Sequence, residues 1–305
     1  MLSLKRIVGL LAVVTILVVI CGYFSIEFLA GRESNKEAQI LTENQVWWIA
    51  SDLHIGVYPG RPLDHLRVGI KDVNEYIQGV EGIDVDYAIQ LGDEFQETMG
   101  QEYRENFFEL MDNLDVENWY YILGNHDFVM PPPSEENLLP PVDLTLDVMG
   151  MKWILISDHA GDSARYVNPP EYVGGTMPEN IREWFKDQVF FSKKPVFVFS
   201  HQPPRDWEVW RKDLGWSTKG TKLRAWIYGH IHQWKARWVE NQMLEFSDCS
   251  LDWADHYMGV LMFLKRKGDT VEVTLRFRDH KNHRWIKIPF EGENVENISF
   301  SVEID

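Results

Sequence analysis

A chain of 305 residues has room for one large domain or two small ones, with a substantial core. Its 47 acidic residues outnumber 30 basic ones, for a formal net charge of -17, and no basic stripe is present to hold nucleic acid by counterion release. Two cysteines, Cys21 and Cys249, exclude a disulfide framework and a CxxC zinc site, and Cys249 reads as a small core residue.

The first element is apolar. After Lys5 and Arg6, Ile7 to Ile26 gives 20 residues without a charge, which as a helix spans roughly 30 Å, the thickness of a bilayer core. A cleaved signal peptide ends in a small-x-small site, whereas Phe28-Leu29-Ala30 carries a bulky residue there, and Ile20 before Cys21 speaks against a lipoprotein signal. Residues 1–31 are expected to be an uncleaved single-pass anchor, amino terminus inside and the rest of the chain extracytoplasmic. Residues 32–44 read as a polar linker, and 45–305 as one domain.

Along that domain, short apolar runs rich in β-branched and aromatic residues predict strands: VWWIA from Val46, YAIQL from Tyr87, WYYIL from Trp119, VFVF from Val196 and AWIY from Ala225. Between them, Tyr103–Leu114 and Glu179–Phe190 carry apolar positions at helical spacing. Met258–Phe277 reads as two strands around a turn at Lys267-Gly268-Asp269. Strands alternating with helices predict an α/β or layered sheet.

Each of the five runs ends in a polar cluster: Ser51-Asp52-Leu53-His54, Gly92-Asp93, Gly124-Asn125-His126-Asp127, Ser200-His201 and Gly229-His230-Ile231-His232. Ligands of such sheets sit beyond the carboxyl ends of strands, so one rim is expected to gather all five. In extended backbone, Asp52 with His54 and His230 with His232 point the same way, and each pair reaches one centre. Asp52-x-His54 or Gly92-Asp93 alone reads more readily as a turn or a helix cap, and Gly124-Asn125-His126-Asp127 alone is more specific yet still compatible with a loop; their succession after strands argues for a site.

Asp52, His54, Asp93, Asn125, His201, His230 and His232 offer carboxylate, amide carbonyl and imidazole without thiolate, a set suited to Mn, Fe or Zn. Seven ligands exceed what one such ion takes. Two divalent ions about 3.5 to 4 Å apart use them all and activate water for in-line attack on phosphorus. His126 is then free to protonate the leaving oxygen, with Asp127 beside it to orient the ring.

The ordered series Asp52-x-His54, Gly92-Asp93, Gly124-Asn125-His126-Asp127, His201, Gly229-His230-x-His232 resembles the calcineurin-like metallophosphoesterases across roughly Trp47 to Gln233. The resemblance implies a two-layer β-sandwich flanked by helices and a dinuclear metal site. By motif position Asp52, His54 and His232 hold one metal, Asn125, His201 and His230 the other, and Asp93 bridges. It also implies that His126 faces the scissile phosphate with Asp127 as its partner.

The expected activity is therefore that of a membrane-anchored, dinuclear-metal-dependent phosphoesterase acting on a phosphate ester or anhydride, in a small-molecule or lipid substrate. A phosphodiesterase of nucleotides or lipid head groups, and a low-activity metal-binding scaffold, are the alternatives. His65, His159, His256, His280 and His283 match no motif and read as surface or core polar residues. Arg205–Trp216, with three tryptophans, reads as core packing, a cleft wall or a membrane contact. Arg205 itself reads as a surface residue, and Asp158, after the strand-like WILIS run, as a turn residue near the rim.

Overall fold

Trp47 and Trp48 are neighbours in sequence, both fully buried, and packed into two different cores on opposite faces of one strand. Side chains alternate along a strand, so this segment lies in a sheet covered on both faces. The computed structural model of the chain describes residues 38–40, 43–55, 63–95, 101–127, 143–157, 179–206, 213, 215, 217–248, 250–251 and 257–304. The described residues from Gln39 onward belong to one compact unit. The expected anchor, Ile7–Ile26, lies outside the described residues, among which no helix is long and apolar enough to cross a membrane.

In chain order the strands are β1 (Ala38–Ile40), β2 (Asn44–Ala50), β3 (Tyr87–Gln90), β4 (Asn118–Tyr121), β5 (Asp143–Val148), β6 (Met151–Ile156), β7 (Val196–Ser200), β8 (Leu223–Tyr228), β9 (Lys235–Val239), β10 (Met243–Ser247), β11 (Met258–Lys267), β12 (Thr270–Asp279), β13 (Arg284–Ile286), β14 (Ile288–Phe290), β15 (Glu293–Val295) and β16 (Asn297–Glu303). Among the described residues the α-helices are α1 (Asp64–Lys71), continued by a π-helical turn at Asp72–Gln78, then α2 (Gln101–Met111) and α3 (Glu179–Phe190).

Among the described residues two seven-stranded sheets form, besides the β14–β15 hairpin. Sheet I runs β1-β5-β6-β7-β8-β10-β9, and sheet II runs β13-β12-β11-β2-β3-β4, with β16 also on β12. Within them β6, β7, β8 and β10 are mutually parallel, as are β2, β3 and β4.

Trp47 and Ile89 from sheet II, with Ile122 just after β4, meet Trp153, Phe197, Phe199 and Ile227 from sheet I in one buried cluster between the sheets. On the outer face of sheet II, Trp48, Ala88 and Leu261 pack with Leu66 and Ile70 of α1 and with Phe107 and Met111 of α2. On that of sheet I, Ile154, Val198 and Trp226 pack with Phe185 and Val189 of α3. The architecture is thus the expected sandwich flanked by helices.

α1 shows how local sequence serves this packing. His65, Leu66, Gly69 and Ile70 face inward at helical spacing, and Asp64 in the first turn and Lys71 in the last complement the helix dipole. Gly69 sits against Trp48: a Cβ there would lie 3.1 Å from the indole.

A polar network then ties the π-helical turn to sheet II. Arg278 of β12 donates to both oxygens of Asp72 at 2.8 and 3.0 Å and to Glu81 at 2.6 Å, while His280 and His283 also meet Asp72, at 2.8 and 2.6 Å.

The strands expected from the apolar runs are β2, β3, β4, β7 and β8; WILIS is β6, and Met258–Phe277 is the β11–β12 hairpin that extends sheet II beside β2. The helix expected over Glu179–Phe190 is α3. The one expected over Tyr103–Leu114 is α2, which ends at Met111 because Asn113 and Leu114 donate to carbonyls three residues back and tighten the last turn.

Candidate metal centre

The five polar clusters follow β2, β3, β4, β7 and β8, and the parallel alignment of the strands brings them to one edge. Backbone bonds fix their heights there: Asp52 N–H donates to Gly92 O at 3.0 Å, His54 N–H to Asp93 O at 2.9 Å, and Gly229 N–H to His201 O at 3.0 Å. The two sheets are joined at the same edge. His201 donates Nδ1–H to the Leu91 carbonyl at 2.8 Å, and His230 N–H donates to Asp52 Oδ2 at 2.9 Å.

Three donor groups result, each with its ligand atoms within 4.8 Å: Asp52, His54 and His232; His54, Asp93 and His126; and Asp93, His201 and His230. His232 Nε2 lies 2.9 Å from Asp52 Oδ1 and 3.1 Å from His54 Nε2. His201 Nε2 lies 3.0 Å from Asp93 Oδ2, 3.1 Å from Asn125 Oδ1 and 3.2 Å from His230 Nδ1. All seven expected ligands are brought into one cluster, and His54 and Asp93 each belong to two of the groups.

Asp52, His54, Asp93 and His201 form a buried floor, while Asn125, His126, His230 and His232 are half-buried at its mouth. Burial pushes the Asp52 carboxyl up, but hydrogen bonds from His232 and His54 outweigh it and hold the group well below the usual carboxylate range. Asp93 is likewise lowered against its burial, by the charge and hydrogen bond of His201. For His54, burial disfavours the charged ring, yet the hydrogen bond and charge of Asp52 raise it above its ordinary value. His230 is pushed down to about 4, by burial and by the neighbouring His201.

These donors fit a pair of cations. Carboxylates kept ionised stand opposite imidazole nitrogens at a common centre, and His201, its Nδ1–H given to Leu91, turns its other nitrogen inward.

The reason that residues two apart converge differs from the extended-strand argument. Asp52, His54, Asp93, His230 and His232 all have positive φ, between 43° and 66°, so the chain curls rather than extends beyond the strand ends. A left-handed residue turns its side chain back toward the rim, at a backbone cost of about 1 to 3 kcal/mol each. Glycine serves where backbones touch: a Cβ on Gly92 would stand 2.6 Å from Gly124 N, and one on Gly124 would strike the Asp93 side chain.

Asp127 departs from expectation. Its oxygens accept the backbone N–H groups of Asp93 (2.9 Å), Gly124 (2.7 Å) and Phe95 (3.0 Å), so it braces the two ligand loops and does not stand behind the His126 ring. A short polar side chain at a turn finds backbone donors closest to hand. Buried Glu94 lies against it, and burial together with the Asp127 charge pushes Glu94 well above the usual carboxylate range. His126 instead donates its backbone N–H to Asp93 Oδ1 at 2.8 Å, with its side chain 27% exposed and Nε2 3.9 Å from Asp93 Oδ2.

Residues 47–234 match the family model of the calcineurin-like phosphoesterases, more than half of the chain. The chain belongs to that family. A search of solved structures finds this phosphoesterase similar to a dimetal phosphatase from Danio rerio, at 12% identity and a TM-score of 0.53, over 86% of this chain and 99% of the other. It is also similar to purple acid phosphatase PPD1 from yellow lupin (Lupinus luteus) seeds, at 11% identity and a TM-score of 0.49, over 86% of this chain and 54% of that one. Vps29 of Chaetomium thermophilum matches at 8% identity and a TM-score of 0.40, over 85% of this chain and 97% of its own. A comparison with curated protein sequences returned no match.

Sequence reasoning passed over one strand end at the phosphoesterase rim. β10 runs parallel to β8 and leads to buried Asp248 and Ser250, and Ser250 Oγ donates to the Asp52 carbonyl at 2.7 Å. The signal was the same apolar run followed by polar residues, but Glu245 interrupts the run MLEFS. That carboxylate is buried because Tyr228 and Arg237 bond it, Arg237 through two nitrogens.

Asp158, His159, His256, Cys21, Cys249 and the three tryptophans of 205–216 lie outside the described residues. Arg205 is exposed beside Asp206, and Asp213 takes a two-point bond from Arg182 of α3 at 2.7 Å. His65 is buried against Tyr257, and His280 and His283 belong to the Asp72 network.

Proposed function

We propose that the chain is a membrane-anchored, dinuclear-metal-dependent phosphoesterase that hydrolyses a phosphate ester or anhydride. The observation that carries this reading is the sharing of Asp93 and His54 among three donor groups at one rim, which suits two ions side by side. Asp52, His54 and His232 would hold one ion, Asn125, His201 and His230 the other, and Asp93 both. The donor set suits Mn, Fe or Zn. When bound, such a pair supplies Lewis acidity and an acidified water for attack on phosphorus.

His126 stands at the mouth of the cluster and delivers the proton of Nε2 to the leaving oxygen. Asp127 acts on it indirectly, by holding the Gly124 loop to Asp93. An anchor in residues 1–31 and a linker in 32–44 would keep the active domain, residues 45–305, near an extracytoplasmic membrane face. That supports a lipid-linked phosphate as well as a small molecule among the substrates.

The test uses the full-length chain in detergent, loaded with Mn, assayed on p-nitrophenyl phosphate and bis-p-nitrophenyl phosphate beside Asp93→Ala and His126→Ala. Turnover lost in the first variant and strongly reduced in the second is the expected result, and the preferred ester separates monoesterase from diesterase. Two bound metals per chain with no turnover on either ester would favour the scaffold. Extraction of membranes with alkaline carbonate tests the anchor, whose removal into the supernatant would refute it.

A further inference from the structure

At the end of sheet I opposite the metal rim, the segment entering β8 (Thr221–Arg224) and the β9–β10 turn border a cleft of about 670 Å³, with β16 as its other wall. Left-handed Glu240 and Asn241, φ 51° and 54°, make that turn tight. Trp238 of β9 and Phe300 of β16 meet edge to face at 5.5 Å and give the cleft an apolar wall, both half-buried. The volume suits a small organic ligand, for which roughly 300 to 1,000 Å³ is usual.

Its charge is the informative part. Lys222 and Arg224 both line the cleft, and among the described residues neither forms an ion pair, although the chain carries a formal net charge of -17. Arg224 is held in place by its own strand, one guanidinium N–H donating to the Leu223 carbonyl at 2.9 Å. The carboxylate of the cleft, Glu240, is engaged elsewhere: Oε2 accepts the Thr218 N–H at 2.8 Å and the hydroxyls of Thr218 and Ser217, both at 2.9 Å. Gln242, whose amide donates to the Thr221 carbonyl at 3.2 Å, keeps its oxygen for a ligand N–H.

Two cations without acidic partners beside an aromatic wall define the ligand by chemistry. We propose that this cleft binds a small anion carrying a planar ring, of the size of a nucleoside monophosphate. The anionic group lies between Lys222 and Arg224, and the ring lies on the Trp238–Phe300 wall. Six residues of extended chain separate Arg224 from His230, roughly 20 Å, so the site is separate from the metal rim and does not rest on the phosphoesterase reading.

The full-length chain in detergent, stripped of metal with EDTA, is titrated calorimetrically with AMP, inorganic phosphate and adenosine. One AMP should bind per chain, equally in wild type and in Asp93→Ala, and Lys222→Gln with Arg224→Gln should weaken it about tenfold or more. Phosphate and adenosine alone should each bind at least about tenfold more weakly than AMP. Arg224→Lys, which keeps the charge, should retain AMP within a few-fold, and thermal melts confirm that each variant is folded. Absence of binding at millimolar AMP overturns the proposal. So does AMP binding that Asp93→Ala abolishes and the double Gln variant keeps, and phosphate binding as tight as AMP removes the ring contact.

Discussion

Asp72→Asn keeps the size of a side chain on which four donors converge while removing its charge. Arg278 is fully buried, and its guanidinium meets Asp72 through two nitrogens and Glu81 through the third. Without the Asp72 charge, Glu81 alone is left to balance that cation, and it is 28% exposed. Breaking one side of a buried ion pair costs about 3 to 5 kcal/mol, because an uncompensated charge remains. For a domain of this size that is a fall in Tm of about 6 to 20 °C.

Urea unfolding followed by tryptophan emission reads it directly, with the double variant Asp72→Asn/Arg278→Met expected to recover part of the loss. Burial pushes the Asp72 carboxyl up, but hydrogen bonds from His280 and Arg278 outweigh it and depress the folded-state value far below the unfolded one. Its contribution is therefore complete above about pH 4 and disappears as pH falls from there toward the folded-state value. The gap between wild type and Asp72→Asn should hold from pH 7 to about pH 5 and narrow below about pH 4. A loss under about 1 kcal/mol at pH 7, or a gap that widens in acid, would refute the reasoning.

His126→Ala should keep two metals per chain by elemental analysis and lower kcat about 10² to 10⁴-fold, as expected for loss of a general acid; metal loss would instead make it a ligand. Asp127→Asn, which replaces an acceptor of backbone N–H groups with a donor, should cost about 1 to 3 kcal/mol in unfolding. It should weaken metal binding while leaving the pH profile of kcat in place, and a profile shifted with metal affinity intact would restore Asp127 as the partner of His126. Gly124→Ala drives a methyl into Asp93 and should lower stability by about 1 to 3 kcal/mol, with metal affinity falling in an equilibrium dialysis; an unchanged affinity would show that the loop yields freely.

Periodicity carried the fold where strands are buried on both faces. VWWIA and VFVF are unbroken apolar runs because helices cover one side and the opposite sheet the other, and they became β2 and β7. β10 was illegible because Glu245 sits inside it, neutralised by Tyr228 and Arg237 from neighbouring strands that no local pattern reveals. α1 and its π-helical continuation were missed for a related reason: Asp72 lies on their buried side, matched by Arg278 and His280 some two hundred residues away. Buried charge with a distant partner looks, in sequence, like a solvated face.

At the rim the situation is reversed, since residue types were legible and conformation was not. Nothing in Asp-x-His distinguishes an extended strand from a left-handed curl, yet five of the seven expected ligands adopt the curl. At about 1 to 3 kcal/mol each, that strain persists only where the surroundings over-determine it. Here they do: Asp52 and His54 hang from Gly92 and Asp93 by backbone bonds, His230 from Asp52, and the Asp93 and Gly124 loops from Asp127. A rim held this way meets its ligand already arranged, so binding need not supply the ordering. The glycines beside the ligands, and Asp127 more than any orienting of His126, are what make that arrangement possible.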